Sequence, residues 1–335
     1  MTPLATTLAN TSARGEGLFN LRGKAQPQFI YVINQGDNSV SKISLATFTV
    51  TATLSLTYTD PRFIIIDPLG TYAYVGLYNS GSGYVAQINL STFTVSNYVS
   101  GFGWPLSGVI DPTGTYLYTV DGGNSSANKT TLASFTSGPT ANTGSVLAGT
   151  GTAIAVDKTG TYVYVGGQTG TGQFSKVNAS SWTLTSSYNT NSPIYSITID
   201  NNSTYAYVGT NGGFINQINL STFTYSGGYS LPSNYAWWSG IDPTNTYLYA
   251  SALLSSGNIF KIPIPAASSS TSVTITGSPF LRGGAIDPLG TFLYICDQSS
   301  NSLWKINLTT FTIVGSVSVG TTPYNCAISY TNSPS

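Results

Sequence analysis

An all-β, seven-bladed β-propeller with four antiparallel strands per blade is the fold this sequence predicts. Three observations predict it. A short phrase, Asp-Pro-x-Gly-Thr-Tyr in its fullest form, opens at Asp67, Asp111, Asp157, Asp200, Asp242 and Asp287. Successive aspartates lie 44, 46, 43, 42 and 45 residues apart, the period of a propeller blade. A second phrase, Tyr-Val or a close variant, recurs seven times, at Tyr31, Tyr74, Tyr118, Tyr164, Tyr207, Tyr249 and Tyr294. Finally, the first copy lacks a strand before it, and the run from Pro323 to Ile328 is left over at the other end. That run matches Pro61 to Ile66, so the C-terminal strand is predicted to complete the N-terminal blade and close the ring.

One blade, residues 61–104, shows the elements in order. Phe63 to Ile66 is a short apolar run suited to an inner strand buried on both faces. Asp67-Pro68-Leu69-Gly70 fits a type I turn: Asp bonds the backbone two residues on, Pro presets φ, and Gly suits the fourth position. Thr71 to Tyr78 is the second strand, Asn79 to Gly83 a loop, and Tyr84 to Asn89 the third strand. Leu90-Ser91-Thr92 turns the chain into an outer strand from Phe93 to Val99. Two blades depart from this pattern. Residues 128–150 lack the Asn-Leu-Ser turn, and residues 258–278 carry Ile262-Pro263-Ile264-Pro265, which blocks ladder bonding. Their outer strands are expected to be irregular, through simple drift or because they mark a contact side.

The domain reading is an N-terminal arm, residues 1–27, and a propeller, residues 28–335. The arm holds Arg14, Glu16, Arg22 and Lys24 within eleven residues, and reads either as an assembly arm gripping another subunit or as a disordered tail.

Composition narrows the function classes. Charged residues are 7% of the 335, eleven basic against eleven acidic, where about 25% is usual. No basic patch exists to neutralise phosphates, which argues against nucleic acid as a partner. No apolar run approaches the ~20 residues of a spanning helix. Histidine is absent and Glu16 is the only glutamate, so few groups titrate near neutrality. A surface of Gly, Ser, Thr, Asn and Tyr fits an exterior setting, harsh or acidic, and the expected localisation is extracellular or on a virion. The first eight residues lack a basic segment followed by an apolar one, the mark of a secretory signal. A processed or engineered form, release of virions by host lysis, and cytosolic residence are the three accounts of that. The two cysteines, Cys296 and Cys326, both fall in predicted strands near the closing point, as a bridge or as two buried thiols.

The repeat resembles the Tyr-Val-Thr-Asn (YVTN) type of seven-bladed propeller repeat over residues 28–330. The resemblance rests on Tyr31-Val32-Ile33-Asn34, Tyr207-Val208-Gly209-Thr210-Asn211, the Asp-Pro-x-Gly turn and the Ile-Asn-Leu-Ser/Thr turn. It implies likeness to surface-layer proteins of archaea and bacteria, with sugar-lactone hydrolases among related rings. The matched residues build blades, so the resemblance speaks to fold and not to activity.

Chemistry is sparse. Six of the eleven carboxylates are the turn aspartates. Asp37, Asp121 and Asp297 follow second strands on one rim, singly, beside Gly, Asn or Ser, as loop-forming residues do. No pair suits acid–base work, no histidine serves a triad, and two cysteines make no zinc site. The expectation is a non-enzymatic chain with no catalytic residue, no metal and no cofactor. A lactonase-like hydrolase is the third choice, set back by the missing histidine.

The candidate binding residues are aromatic and cationic. Trp104, Tyr195, Tyr235, Trp237, Trp238, Phe280 and Tyr324, with Arg62 and Arg282, lie where one blade's outer strand leads into the next inner strand. Phe102 lies in the same segments. Such a set either rings the central mouth, as sugar-stacking and interface anchors do, or packs between blades. Candidate glycosylation sites are Asn89, Asn124, Asn128, Asn178, Asn219 and Asn307, each in an Asn-x-Ser/Thr sequon. The leading expectation is an exterior structural or attachment protein, a virion surface or cell-surface-layer component. Its partners are assembly proteins and cell-surface glycans, with homo-oligomers formed through the arm. A protein-interaction scaffold is the alternative.

Overall fold

The computed structural model describes residues 27–330, except 124–125, 134, 137, 140, 143–149, 169, 233–234, 253–256, 266–268 and 278. The expected arm thus lies outside the described residues apart from Pro27, where the first strand begins. Among the described residues no helix is long and apolar enough to cross a membrane.

Seven four-stranded antiparallel sheets make the ring. Blade 1 takes its inner strand from the far end of the chain: Pro323–Tyr330 pairs with Pro27–Asn34, with Ile30 opposite Ile328 and Val32 opposite Cys326. The inner strands of blades 2 to 7 are Pro61–Ile66, Pro105–Ile110, Gly151–Val156, Ile194–Ile199, Ala236–Ile241 and Leu281–Ile286. Each turns through an aspartate loop into its second strand. There the backbone N–H groups of Thr71, Thr161, Thr204, Thr246 and Thr291 donate to the carboxylates of Asp67, Asp157, Asp200, Asp242 and Asp287 at 2.6–3.0 Å. The repeat aspartate is therefore a turn device, as its sequence position predicts.

Successive blades are joined by a recurring clasp. The buried tyrosine of one second strand meets an aromatic ring from the next blade's turn between third and outer strands. The pairs are Tyr31–Phe93, Tyr74–Phe135, Tyr118–Trp182, Tyr164–Phe223, Tyr249–Phe311 and, across the closure, Tyr294–Phe48, with ring centroids 5.1–6.5 Å apart. Five of the turn rings, Phe48, Phe93, Trp182, Phe223 and Phe311, sit at φ between 52° and 57°. Bulky side chains avoid that region, so interblade packing is what holds them there.

A lysine completes five of the clasps. Lys42, Lys129, Lys176, Lys261 and Lys305 each lie 4.0–4.3 Å over an aromatic centroid of their own blade. Three of them reach the next blade, donating to the carbonyls of Ala179, Leu220 and Leu308 at 2.7–3.1 Å.

The outer strand of blade 6 is short, Thr271–Thr274, where the sequence departs from the repeat, and of blade 3's outer strand Ala141–Asn142 are the described residues. Cys296 and Cys326 are both buried free thiols, which settles that alternative.

Candidate functional site

The mouth of the ring is built from one irregularity used seven times. In each blade the ladder between inner and second strand slips by a residue near the inner strand's start. Pro61 pairs with Leu77 but Phe63 with Gly76, leaving Arg62 unmatched. The same slip leaves Leu106, Thr152, Tyr195 and Trp237 unmatched, and falls at Arg282-Gly283 in blade 7. In blade 1, Ile33 pairs with Asn325 and Asn34 with Pro323, which skips Tyr324. An unmatched residue in a bulge is freed from the pleat and its side chain is re-aimed. Here all seven fall at the same height.

Five of these side chains, Arg62, Tyr195, Trp237, Arg282 and Tyr324, join into a belt, whereas Thr152 is buried and donates to the Ile194 carbonyl at 2.6 Å. The Arg62 guanidinium lies 5.2 Å from the Trp104 ring and 5.4 Å from the Tyr324 ring, bridging blades 3 and 1. The Arg282 guanidinium lies 4.1 Å from Trp237, 4.3 Å from Phe280 and 5.2 Å from Tyr324. Trp237 continues to Tyr195 at 5.0 Å, and Tyr195 to Tyr235 at 5.5 Å. At the other end Trp104 stacks on Tyr78 at 5.0 Å. Eight of the nine residues expected at the mouth are thus one connected group, touching six blades, though Tyr324 is itself buried. Tyr78 belongs with them, and sequence reasoning missed it because it reads as an ordinary second-strand tyrosine.

Trp238 does not belong. It is fully buried and packs on the seventh blade, where a side chain at Gly284 would run into its ring at 3.3 Å. Alternation along the strand sends Trp237 to the mouth and its neighbour into the core. Phe102 is likewise a core residue, 5% exposed.

Polar groups hold the belt in place. Asp60 receives Arg62 through Nε at 2.9 Å and Nη2 at 2.7 Å, and its other oxygen accepts from Gln35. Gln298 accepts from Arg282 Nε at 2.9 Å. The rim aspartates do more than form loops. Asp121 accepts from the backbone N–H of Gly103 at 2.9 Å, Asp297 from Phe280 at 3.0 Å, and Asp37 from Thr321 at 3.0 Å. Each pins the segment that leads into its blade's inner strand. Burial pushes the Asp121 carboxyl above the usual carboxylate range.

The sequon asparagines divide. Asn89, Asn178, Asn219 and Asn307 sit at turns into the outer strands, and each side-chain oxygen accepts two backbone N–H bonds of its own turn. That turn role accounts for their recurrence. Asn128 is buried and donates to Asp121 at 2.7 Å, so the folded chain does not offer it for glycosylation. Asn124 lies outside the described residues.

No protein-family model matches the chain, so the Tyr-Val-Thr-Asn resemblance stands on the residues alone. No curated protein matches it either. Solved structures do. A putative 6-phosphogluconolactonase from Bacteroides uniformis superposes with a TM-score of 0.74 at 15% identity, over 90% of this chain and 100% of that one. The β-propeller domain of Cps50 (Swd1) from Myceliophteria thermophila gives 0.65 at 11% identity, over 81% and 95%. The dihydro-heme d1 dehydrogenase NirN, in complex with DHE, gives 0.61 at 10% identity, over 94% and 79%. At these identities the likeness carries the fold.

The expectation of a chain without enzymatic activity is corrected by the same comparisons. Two of the three similar structures bear the names of enzymes, a lactonase and a dehydrogenase. The propeller architecture thus occurs in enzymes as well as in binding proteins, and the missing histidine does not exclude catalysis.

Proposed function

We propose that this propeller is an interaction platform that binds a carbohydrate at its mouth, in an exterior setting such as a cell-surface layer or a virion. A propeller ring fits a scaffold or interaction role. The single observation that carries the finer reading is the belt of alternating cations and aromatic rings around the mouth. Sugars present one apolar face that stacks on flat rings and hydroxyls that orient against fixed polar groups. Trp237, Tyr195 and Trp104, all half-buried, supply the former, and Arg62, Arg282 and Gln298 the latter.

The exterior setting rests on composition. A surface carried by hydroxyl and amide groups, with 7% charge and no histidine, keeps its character over a wide pH range.

A glycan array probed with the whole chain tests the reading, followed by Trp237→Ala and Arg282→Ala. Binding to defined glycans that falls about tenfold or more in each variant supports it. Array-wide silence, or binding that both variants retain, overturns it.

A further inference from the structure

The outer circumference of the ring is bounded by the seven outer strands, away from the mouth. Every outer strand ends its sheet and so presents an unpaired edge. Proteins normally guard such edges with lysine, proline, short strands, bulges or covering segments. Here the guards are uneven. Blade 6 has a short outer strand, and blade 3's edge lies largely outside the described residues. The outer strand of blade 2, Thr94–Phe102, is approached by blade 3: Asn97 donates to the Phe135 carbonyl at 2.7 Å, and a Cβ at Gly138 would lie 2.3 Å from the Ser100 carbonyl.

The other four edges are Thr49–Ser55, Thr183–Asn189, Thr224–Ser230 and Thr312–Ser318, in blades 1, 4, 5 and 7. They contain no charged residue and no proline. Each has one bulge, at Thr51, Thr185, Ser226 and Val314, which bends only the end near the turn. Beyond it run four regular residues, Ala52 to Ser55, Ser186 to Asn189, Gly227 to Ser230 and Gly315 to Ser318. Four of the exposed large apolar side chains, Val50, Leu184, Tyr225 and Val314, sit on these same strands.

The arrangement round the ring is uneven too. Blades 7 and 1 are neighbours, and so are blades 4 and 5. The open edges thus form two stations on roughly opposite flanks, four blades apart one way and three the other.

We propose that the ring associates laterally with further copies of itself, edge strand to edge strand, through these two stations. A second copy is the occupant that the chemistry favours. Uncharged Ser/Thr/Gly-rich edges of one ring match those of another, and an antiparallel pair of like edges is self-complementary. Eleven positive against eleven negative charges leave no net repulsion between copies. A block with two stations builds open chains, and short four-residue contacts make each junction weak.

Sedimentation velocity of the full chain from micromolar to millimolar concentration tests this. The wild type is expected to grow reversibly past dimers. Thr53→Lys with Ser316→Lys closes one station and halts growth at or below the dimer. Adding Ser187→Lys and Ser230→Lys closes both and raises the concentration needed for association by about tenfold or more. The same four charges on exposed turns, as Leu69→Lys, Asn202→Lys, Leu289→Lys and Thr309→Lys, leave assembly in place. A wild type that stays monomeric throughout overturns the proposal. So does growth of the one-station variant past dimers, or equal loss in the turn variant. Circular dichroism checks folding. Should a variant unfold, hydrogen exchange of the wild type decides, since outer-strand amides must gain protection as concentration rises.

Discussion

Phe48 packs against Tyr294 across the seam where the chain's two ends meet, ring centroids 6.0 Å apart at 44°. The pair repeats the Tyr249–Phe311 geometry inside the ring, 6.0 Å and 51°. The seam is therefore an ordinary blade junction, made from residues some 250 positions apart in sequence.

Closure should be cooperative with the rest of the ring. Ile328→Ala, at a fully buried site of the closing strand, is expected to cost about 2–5 kcal/mol, as Ile197→Ala should inside blade 5. Deleting residues 323–335 should abolish the single unfolding transition rather than trim it. Chemical denaturation followed by fluorescence and circular dichroism checks both.

The two adjacent tryptophans should separate. Trp238→Ala empties a buried site and is expected to cost about 3–5 kcal/mol of stability. Trp237→Ala removes a half-buried belt residue, costs about 1 kcal/mol, and acts mainly on ligand binding. Denaturant midpoints for the two, measured side by side, give the comparison.

The interblade lysines should each contribute measurably. Lys176→Met removes a donor to the Leu220 carbonyl and a cation over Tyr162, and is expected to cost about 1–2 kcal/mol. Lys129→Met and Lys261→Met should cost similar amounts, and Lys261→Met, two blades from Lys176, should add to Lys176→Met. Equilibrium unfolding of single and triple variants is the measurement.

Alkali, not acid, should unfold this protein. Burial pushes Tyr31 and Tyr74 up to about 12, and drives Tyr118, Tyr164, Tyr207, Tyr249 and Tyr294 upward as well. In the unfolded chain they ionise near pH ~10. Their contribution is complete below that value and is lost as pH climbs through the folded values. Asp67, Asp121 and Asp287 are also raised by burial, so their contribution is complete below about 3.9 and declines as pH rises. Acidification from neutrality thus adds stability at these three. Melting temperature should not fall on acidification from about 9 to 4, and should fall steeply above about 10.

The two thiols should be silent. Cys296 and Cys326 are fully buried and unbridged, so a thiol reagent should find none in the native protein and two after unfolding. A reductant should leave the melting temperature unchanged.

Blade number, closure and turn chemistry were legible because each depends on local spacing. Asp67 and Gly70 frame one turn, and Tyr31 to Tyr294 mark one strand position. The belt was legible as a set of residue types but not as a geometry. Nothing in Trp237-Trp238 says which ring faces the mouth until the slip in the ladder fixes the alternation. The lysines were missed, although Lys42, Lys176 and Lys305 each precede Ile or Val in a third strand at the blade period. Their role requires a turn carbonyl from the next blade, a contact over forty residues away in sequence that no window reveals. Asp121 and Asp297 looked like solvent-side turn residues because burial depends on how the neighbouring loop folds over them.

Most residues of this ring answer to two masters, a ladder partner on one side and a neighbouring blade on the other. Arg62, Leu106, Thr152, Tyr195, Trp237, Arg282 and Tyr324 are released from the first by the skipped register. Five of them, Arg62, Leu106, Tyr195, Trp237 and Arg282, are half-buried and spell a word around the axis that can be rewritten one letter at a time while every sheet keeps its hydrogen bonds; Thr152 and Tyr324 are buried. A scaffold so arranged can change its target without relearning how to fold.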